Sequence, residues 1–332
     1  MNARVRVAFV MALVVVGLPL SGGTAASPAA AKVTAAYSSA AGSEVVLFAA
    51  SDGGFFARNG LDVSMTRISG GSTTVIQVLA SGTIDIAQIG GSAATNAAVR
   101  GVPVAIVADD YDRLIASMWA KDPGITSIRN LRNRTIGITN VGAITDFYAR
   151  IALLREGLVP GRDVKLLAVG SLEACFAALS AGEVAACELL SPYTILAPKQ
   201  GFHQIFDFLT VRVPFMLNGL VVTKRYVQEH RPTLVAFVTA YIQAITRLKA
   251  DPAFGRQVLA RHLQTNDQAA IDDAVKMYAG EYLRNPPLPN VQSIRMVIDI
   301  EKTRYPEYAG LDPRTIVDDS IVTEAEKALQ GR

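Results

Sequence analysis

Histidine, cysteine and tryptophan are almost missing: the 332 residues hold three His, two Cys and one Trp. His203, His230 and His262 stand far apart in strand-like or helix-like contexts. Neither a Cys-x-x-Cys pair nor a His/Cys cluster occurs, which excludes the usual ligand sets of zinc and redox sites. The same scarcity leaves the serines without a histidine base in any recognisable constellation, so no catalytic residue, metal or cofactor is expected. Cys175 lies in a helix-like stretch and Cys187 in a strand-like one. An oxidising compartment would let them pair, but their apolar contexts favour two buried thiols.

Charge is thin as well. Only 18% of residues are Asp, Glu, Lys or Arg, and no stripe of Lys and Arg appears, which argues against nucleic acid as a partner. With 50% hydrophobic residues the chain can bury a large core, so disorder is excluded and the length points to two lobes. The one long apolar run, Val7 to Leu20, is about 14 residues, against the roughly 20 that span a bilayer. It follows Arg4 and Arg6 and precedes small residues, the pattern of a cleavable secretory signal over 1–26, with a later cleavage option at Ala31. Its removal leaves 30 basic against 29 acidic residues. No cysteine follows the run to take a lipid, so the mature chain is expected outside the cytoplasm, soluble, not embedded in a membrane, and monomeric.

From Lys32 onward, apolar β-rich runs alternate with amphipathic stretches, the signature of α/β layers on a mostly parallel sheet. Strands are expected at Val33–Tyr37, Leu61–Ile68, Ile84–Ile89 and Val102–Ala108. The helices between include one whose buried face is Val75, Val78 and Leu79, and a small-residue helix over Ala93–Val99. A second unit starts near Leu114, with strands to Ala120, at Thr135–Thr139, Val164–Ala168 and Val184–Leu190. Its helices present Ile144, Phe147, Tyr148, Ile151 and Leu154 inward, run over Leu172–Ala181, and end near Gln200. "VPFMLNGLVVTKRYV" then reads as a second crossing. After Arg225 helices stand almost alone, Pro232 opening one to about Lys249, with "NPPLPN" as a break; they are expected to complete the first unit. The first lobe is thus expected over 32–113 and 219–332 and the second over 114–218, joined by crossings near 112–117 and 213–219. A joint of two crossings is a hinge, and the gap between two α/β lobes is where ligands sit.

Residues just after the strands should line that gap: Ser38 and Ser39, Gly70 to Thr73, Gly90 to Ser92, Asn140 to Ala143, Gly170 and Ser171, and Ser191 with Pro192. Nearly all are Gly, Ser, Thr or Asn, and several open helices, so they offer hydroxyls and free N–H groups suited to a carboxylate, sulfonate or nitrate. Each alone is an ordinary cap or turn residue; their repetition carries the reading. Asp109, Asp110, Asp112 and Asp146 are expected as solvated or capping carboxylates. Glu188 in "AACELLSP" needs a partner if buried, such as a ligand amine or ring N–H. Phe48, Tyr111, Tyr193 and Phe215 offer aromatic faces, with packing the more ordinary role.

The ordered set "KVTAAYSSAAGSEVVLFAASDGGFFARNGLDVSM", "GGSTTVIQVLASGTIDIAQIGGSAATNAAVRG", "GITSIRNLRNRTIGITNVGAITDFYARIALLREGL" and "LSAGEVAACELLSPYTILAPKQGF" resembles the periplasmic solute-binding proteins of ABC importers. The subgroup is the nitrate, sulfonate, taurine and bicarbonate class, which shares its domain with thiamine-pyrimidine-synthesis proteins. The resemblance covers nearly all of the mature chain. It implies a two-lobed type II periplasmic-binding fold that captures a small carboxylate, sulfonate or heteroaromatic ligand and delivers it to an ABC permease and its ATPase. The alternatives on the same fold are an enzyme acting on a pyrimidine precursor or related small acid, and a periplasmic ligand sensor. Carried over by position, the ligand contacts fall on Ser38, Ser39, Gly71, Ser72, Gly91, Ser92, Gly142, Ala143, Thr145, Glu188 and Ser191, with Asn218 added from the returning crossover. Where family members often carry Gly-Ser-Ser-Thr-Asp, this chain has Gly142, Ala143, Ile144, Thr145 and Asp146. Two hydroxyls are missing, which weakens the case for a tetrahedral sulfonate.

Overall fold

The computed structural model describes residues 29–331, so the expected signal segment 1–26 lies outside the described residues. In chain order the first part runs β1 (Ala31–Tyr37), α1 (Val45–Asp52), α2 (Phe55–Arg58), β2 (Leu61–Arg67), α3 (Gly71–Ala80), β3 (Ile86–Ile89), α4 (Gly91–Val99) and β4 (Val104–Ile106). The second part runs β5 (Ser117–Ala120), β6 (Thr135–Ile138), α5 (Ile144–Arg155), β7 (Lys165–Ala168), α6 (Leu172–Ala181), β8 (Ala186–Leu189), α7 (Tyr193–Lys199) and β9 (His203–Asp207). The last part runs β10 (Gly219–Thr223), α8 (Lys224–Glu229), α9 (Arg231–Ala250), α10 (Pro252–His262), α11 (Gln268–Ala274), α12 (Val291–Glu301) and α13 (Ser320–Gln330).

The strands form two five-stranded sheets, in the orders β2-β1-β3-β10-β4 and β7-β6-β8-β5-β9. β1 is parallel to β2 and β3, and β6 to β7 and β8. β10 and β5, the strands that follow the crossings, enter antiparallel to their neighbours. Each sheet is therefore mixed, and the molecule is a two-lobed α/β protein.

Period-two alternation divides the first sheet's side chains between two apolar layers. Val33, Ala35, Ile86, Leu220 and Val222 join Phe48, Phe237 and Tyr241 in one layer, while Ala36, Ala87 and Val221 join Val75, Leu79 and Ala93 in the other. The long helix α9 packs on α1, and α13 packs on α9, so most C-terminal helices cover the first sheet. α11 departs from that expectation: it packs against α7 of the second lobe, and Asp267 at its start pairs with Lys199. In α5 the inward face includes Phe147, Tyr148 and Ile151 as expected. Leu154 is exposed, because in the last turn Leu153 points inward instead.

The crossings lie side by side. Asp110 N–H donates to Asn218 O at 2.9 Å, Leu217 N–H to Tyr111 O at 3.1 Å and Phe215 N–H to Asp112 O at 3.0 Å. This ribbon resists shear along its length but leaves each strand free to change a few backbone angles, which is what a hinge requires. The Asp cluster at its start is not solvated as expected. Asp109 and Asp110 are fully buried, the latter accepting from Tyr241 Oη at 2.7 Å and Gln88 Nε2 at 3.2 Å, the former 3.5 Å from Arg284. Burial pushes Asp110 up to about 7 and Asp109 well above the usual carboxylate range.

The two cysteines also differ from expectation: Cys175 on α6 and Cys187 on β8 form a disulfide. Helix-over-strand packing brings their Cα atoms to 6.1 Å, within bridging range, which the linear apolar context does not reveal. The bridge closes a short loop, so its reduction is expected to cost about 3 kcal/mol of stability in the chain-entropy account. Thermal denaturation with and without dithiothreitol checks this; an unchanged transition would show the bridge contributes nothing.

Candidate functional site

The strand ends and helix starts of both lobes meet at one narrow cavity. It is lined from the first lobe by Ser38 and Ser39 after β1, Ser43 and Glu44 in the turn before α1, Gly71 and Ser72 at the start of α3, and Gly90 before α4. From the second lobe come Thr139 after β6, Ile144 and Thr145 opening α5, Ser171 and Leu172 opening α6, and Leu190 after β8. Leu217 and Asn218 of the second crossing close the back. The void is about 470 Å³ including its mouth.

Gly70 and Gly71 both hold left-handed backbone, with φ of 100° and 74°, which lets β2 turn sharply into α3. α3, α4 and α5 start without a side-chain cap, so first-turn N–H groups are left without a side-chain acceptor, whereas Ser171 caps α6 through Ala174 N–H at 3.1 Å. The lobes are closed on each other. Gly70 N–H donates to Gly170 O at 3.0 Å, Asn140 Nδ2 to Gly70 O at 3.2 Å, and Arg67 pairs with Glu173 at 2.7 Å.

Ser38, Ser39, Gly71, Ser72, Thr145 and Asn218 are thus six of the expected site residues that share this cavity. Three others, Ser92, Gly142 and Ala143, line a neighbouring interlobe cavity instead, together with Asn96, Arg150 and Glu301. There Arg150 contacts Asp146 at 2.9 Å and reaches Glu301 of α12 at 4.0 Å, all three buried. Asp146 also accepts from Gly142 N–H at 2.8 Å, which fastens the turn ahead of α5. Gly91 backs onto the second crossing, its N–H donating to Met216 O at 3.0 Å. Ser191 O accepts from Gly42 N–H at 3.1 Å, so this residue holds the turn that carries Glu44. Asn218 does likewise, its Nδ2 donating to Ser43 O at 3.2 Å.

Glu188, the carboxylate singled out in the sequence, does not line the cavity. It sits on β8 opposite Met118, 1% exposed, with neither oxygen hydrogen-bonded, and the nearby Tyr148 hydroxyl is equally unpaired. Burial alone pushes it up to about 8. The cleft's carboxyl is Glu44, which sequence reading misses because it follows no strand directly; the only signal is an acidic residue in the Ser- and Gly-rich segment after β1. Glu44 is 2% exposed and accepts from Ser39 Oγ and Ser43 Oγ, each at 2.7 Å. Burial outweighs those bonds and raises it to about 7.

The aromatic candidates pack rather than face the cavity: Phe48 stacks on His262 with ring centres 4.1 Å apart, and Phe215 on Phe147 at 4.9 Å. Tyr111 meets Tyr278 edge-on, and Tyr193 leans on Phe176. Among the described residues, no group of three or more His, Cys, Asp or Glu side chains could hold a metal ion. No helix among them is long and apolar enough to cross a membrane.

A family model described as NMT1/THI5 like matches residues 43–254. A search of curated proteins finds no match. Among solved structures, a protein of Bordetella bronchiseptica RB50 is similar at 19% identity and a TM-score of 0.79, covering 90% of this chain and 98% of that one. The alkanesulfonate-binding protein SsuA of Xanthomonas axonopodis pv. citri, bound to MOPS, is similar at 17% identity and a TM-score of 0.70, over 91% and 99%. The periplasmic nitrate-binding protein NrtA of Synechocystis PCC 6803 is similar at 15% identity and a TM-score of 0.72, over 91% and 89%. These likenesses show the type II periplasmic-binding fold.

Proposed function

Because the chain belongs to the NMT1/THI5-like family, we propose that it is the substrate-binding subunit of an ABC importer, capturing a small organic solute between its lobes and handing it to a membrane permease and ATPase. The observation that carries this reading is the cavity at the interlobe face, open at its mouth, where hydroxyls, a carboxyl and uncapped helix starts from both lobes come together. A ligand bound there touches both lobes and so favours the closed form by its differential affinity, which is the physical requirement for a closing receptor. The lobes are taken as 32–113 with 219–332, and 114–218. The location proposed is the periplasm, reached by the segment 1–26. Cleavage near Ala26 keeps β1 whole, since Ala31 N–H already donates to Gly60 O at 2.9 Å. The mature protein acts as a monomer and turns nothing over: the three histidines are engaged elsewhere or remote, His203 against Ile125 O and His262 against Asp52.

The test is calorimetric and thermal-shift titration of the mature chain with small acids, sulfonates, amines and heteroaromatics, followed by uptake of any binder in a deletion strain. One-to-one binding without chemical change, and loss of uptake, is expected. Conversion of a bound compound, or normal uptake in the deletion strain, would overturn the importer reading.

A further inference from the structure

The formal charge of the cavity wall is one-sided. Among the described residues that line it, Glu44 is the only ionisable one, and none is basic. Its two carboxyl oxygens are each fixed by one serine hydroxyl, Ser39 to Oε1 and Ser43 to Oε2, both at 2.7 Å, leaving further lone pairs on each oxygen. Since Ser39 and Ser43 both donate their only hydroxyl hydrogens to Glu44, their own oxygens are left as acceptors. Asn218 adds no charge: its amide gives one hydrogen to Ser43 O, its carbonyl accepts from Gly219 N–H, and one amide hydrogen remains to donate. The wall immediately at Glu44 therefore offers chiefly acceptors, the α3 and α5 starts offer N–H groups further along the cavity, and Leu172, Leu190, Leu217 and Ile144 supply apolar surface.

We infer that the occupant of this cavity bears an N–H-rich cationic group, an amidinium or ammonium, that docks on Glu44, with an apolar body against the leucines. The inference rests on the proposed binding role of the cleft. Glu44 is the specificity-determining residue: a buried carboxylate repels an oxyanion, and a paired cation offsets the cost of its desolvation. Of the groups around it, Arg67 is paired with Glu173, and Tyr37, Tyr111, Tyr241 and Tyr278 are all shifted upward, so they stay un-ionised near neutrality. Asp110, which burial brings into the same range as Glu44, lies behind the cavity with Tyr241 and Gln88, so a variant at Glu44 is the control for pH effects.

Isosteric probe pairs test this: benzamidinium against benzoate, and acetamidinium against acetate, titrated by calorimetry from pH 6 to 8 on the wild type and on Glu44→Gln. The amidinium probes should bind at least thirtyfold more tightly than their carboxylate partners, more tightly as pH rises through about 7, and Glu44→Gln should remove both the preference and the pH dependence. Carboxylates binding as well as or better than amidiniums, or Glu44→Gln retaining the preference, would overturn the inference while leaving the binding role intact. No binding by any of the four probes would also overturn it, and the wider solute panel then decides separately whether the cleft binds at all.

Discussion

Glu188→Met makes the protein more stable, and the gain widens as pH rises from about 5 to 8. In the folded chain the Glu188 carboxyl is enclosed without a hydrogen bond, and burial holds it protonated up to about pH 8. The unfolded chain releases that proton near the ordinary glutamate value, so between the two the folded state binds more protons and stability falls with rising pH. The contribution is fully present below the unfolded value and is largely lost by pH 8, an amount on the order of 4 kcal/mol at about 1.36 kcal/mol per pH unit. Methionine fills a similar volume and needs no partner. Urea or thermal denaturation of both proteins at pH 5, 6.5 and 8 measures the effect. A constant or shrinking gap would mean Glu188 ionises in the fold. Ligand binding should be unchanged, because Glu188 does not line the cavity; loss of binding would return it to the role the sequence suggests.

Gly71→Val abolishes capture, reducing affinity for any cleft ligand at least a hundredfold, while the lobes still fold. A Cβ at Gly71 would lie 2.8 Å from Thr139 Oγ1 and 3.4 Å from Ala143 Cβ, both on the opposite lobe, so the side chain wedges the cleft open. The same residue has φ of 74°, where a β-branched side chain is strained. Gly82→Val separates the two effects, because Gly82 has φ of 77° and a Cβ there would meet nothing within 4 Å. Both variants should lose similar stability, on the order of 1–2 kcal/mol, but only Gly71→Val should lose binding. If both bind normally, closure of this interface is not needed for capture.

Much of the fold is legible in the chain. The alternation of apolar runs locates β1, β2, β3, β6, β7 and β8 within one or two residues, because central strands such as β3 and β8 are buried throughout and largely apolar, edge strand β2 alternates apolar with polar residues, and strand ends must turn. β10 reads only as a crossing segment, since a three-residue ladder on either side is a tertiary fact with no local signature. The site is partly legible for a related reason. Helix-start glycines and hydroxyls announce themselves after strands, which brings out Ser38, Ser39, Gly71, Ser72 and Thr145. Glu44 sits in a 3-10 turn whose direction depends on Ser191 and Asn218, from distant parts of the chain. The disulfide escapes sequence reading on the same account.

The alternating α/β layers, the two passages between lobes, the hydroxyl- and glycine-rich strand ends and the scarcity of histidine and cysteine are all readable in the chain, since each follows from local propensity or composition. Which carboxyl faces the cleft is set by long-range packing alone. Strand pairing seals Glu188 inside the second lobe, while a turn tied to both that lobe and the crossing brings Glu44 to the cavity. A side chain's direction relative to another lobe depends on contacts between residues far apart in the chain, and those contacts have no periodicity to read.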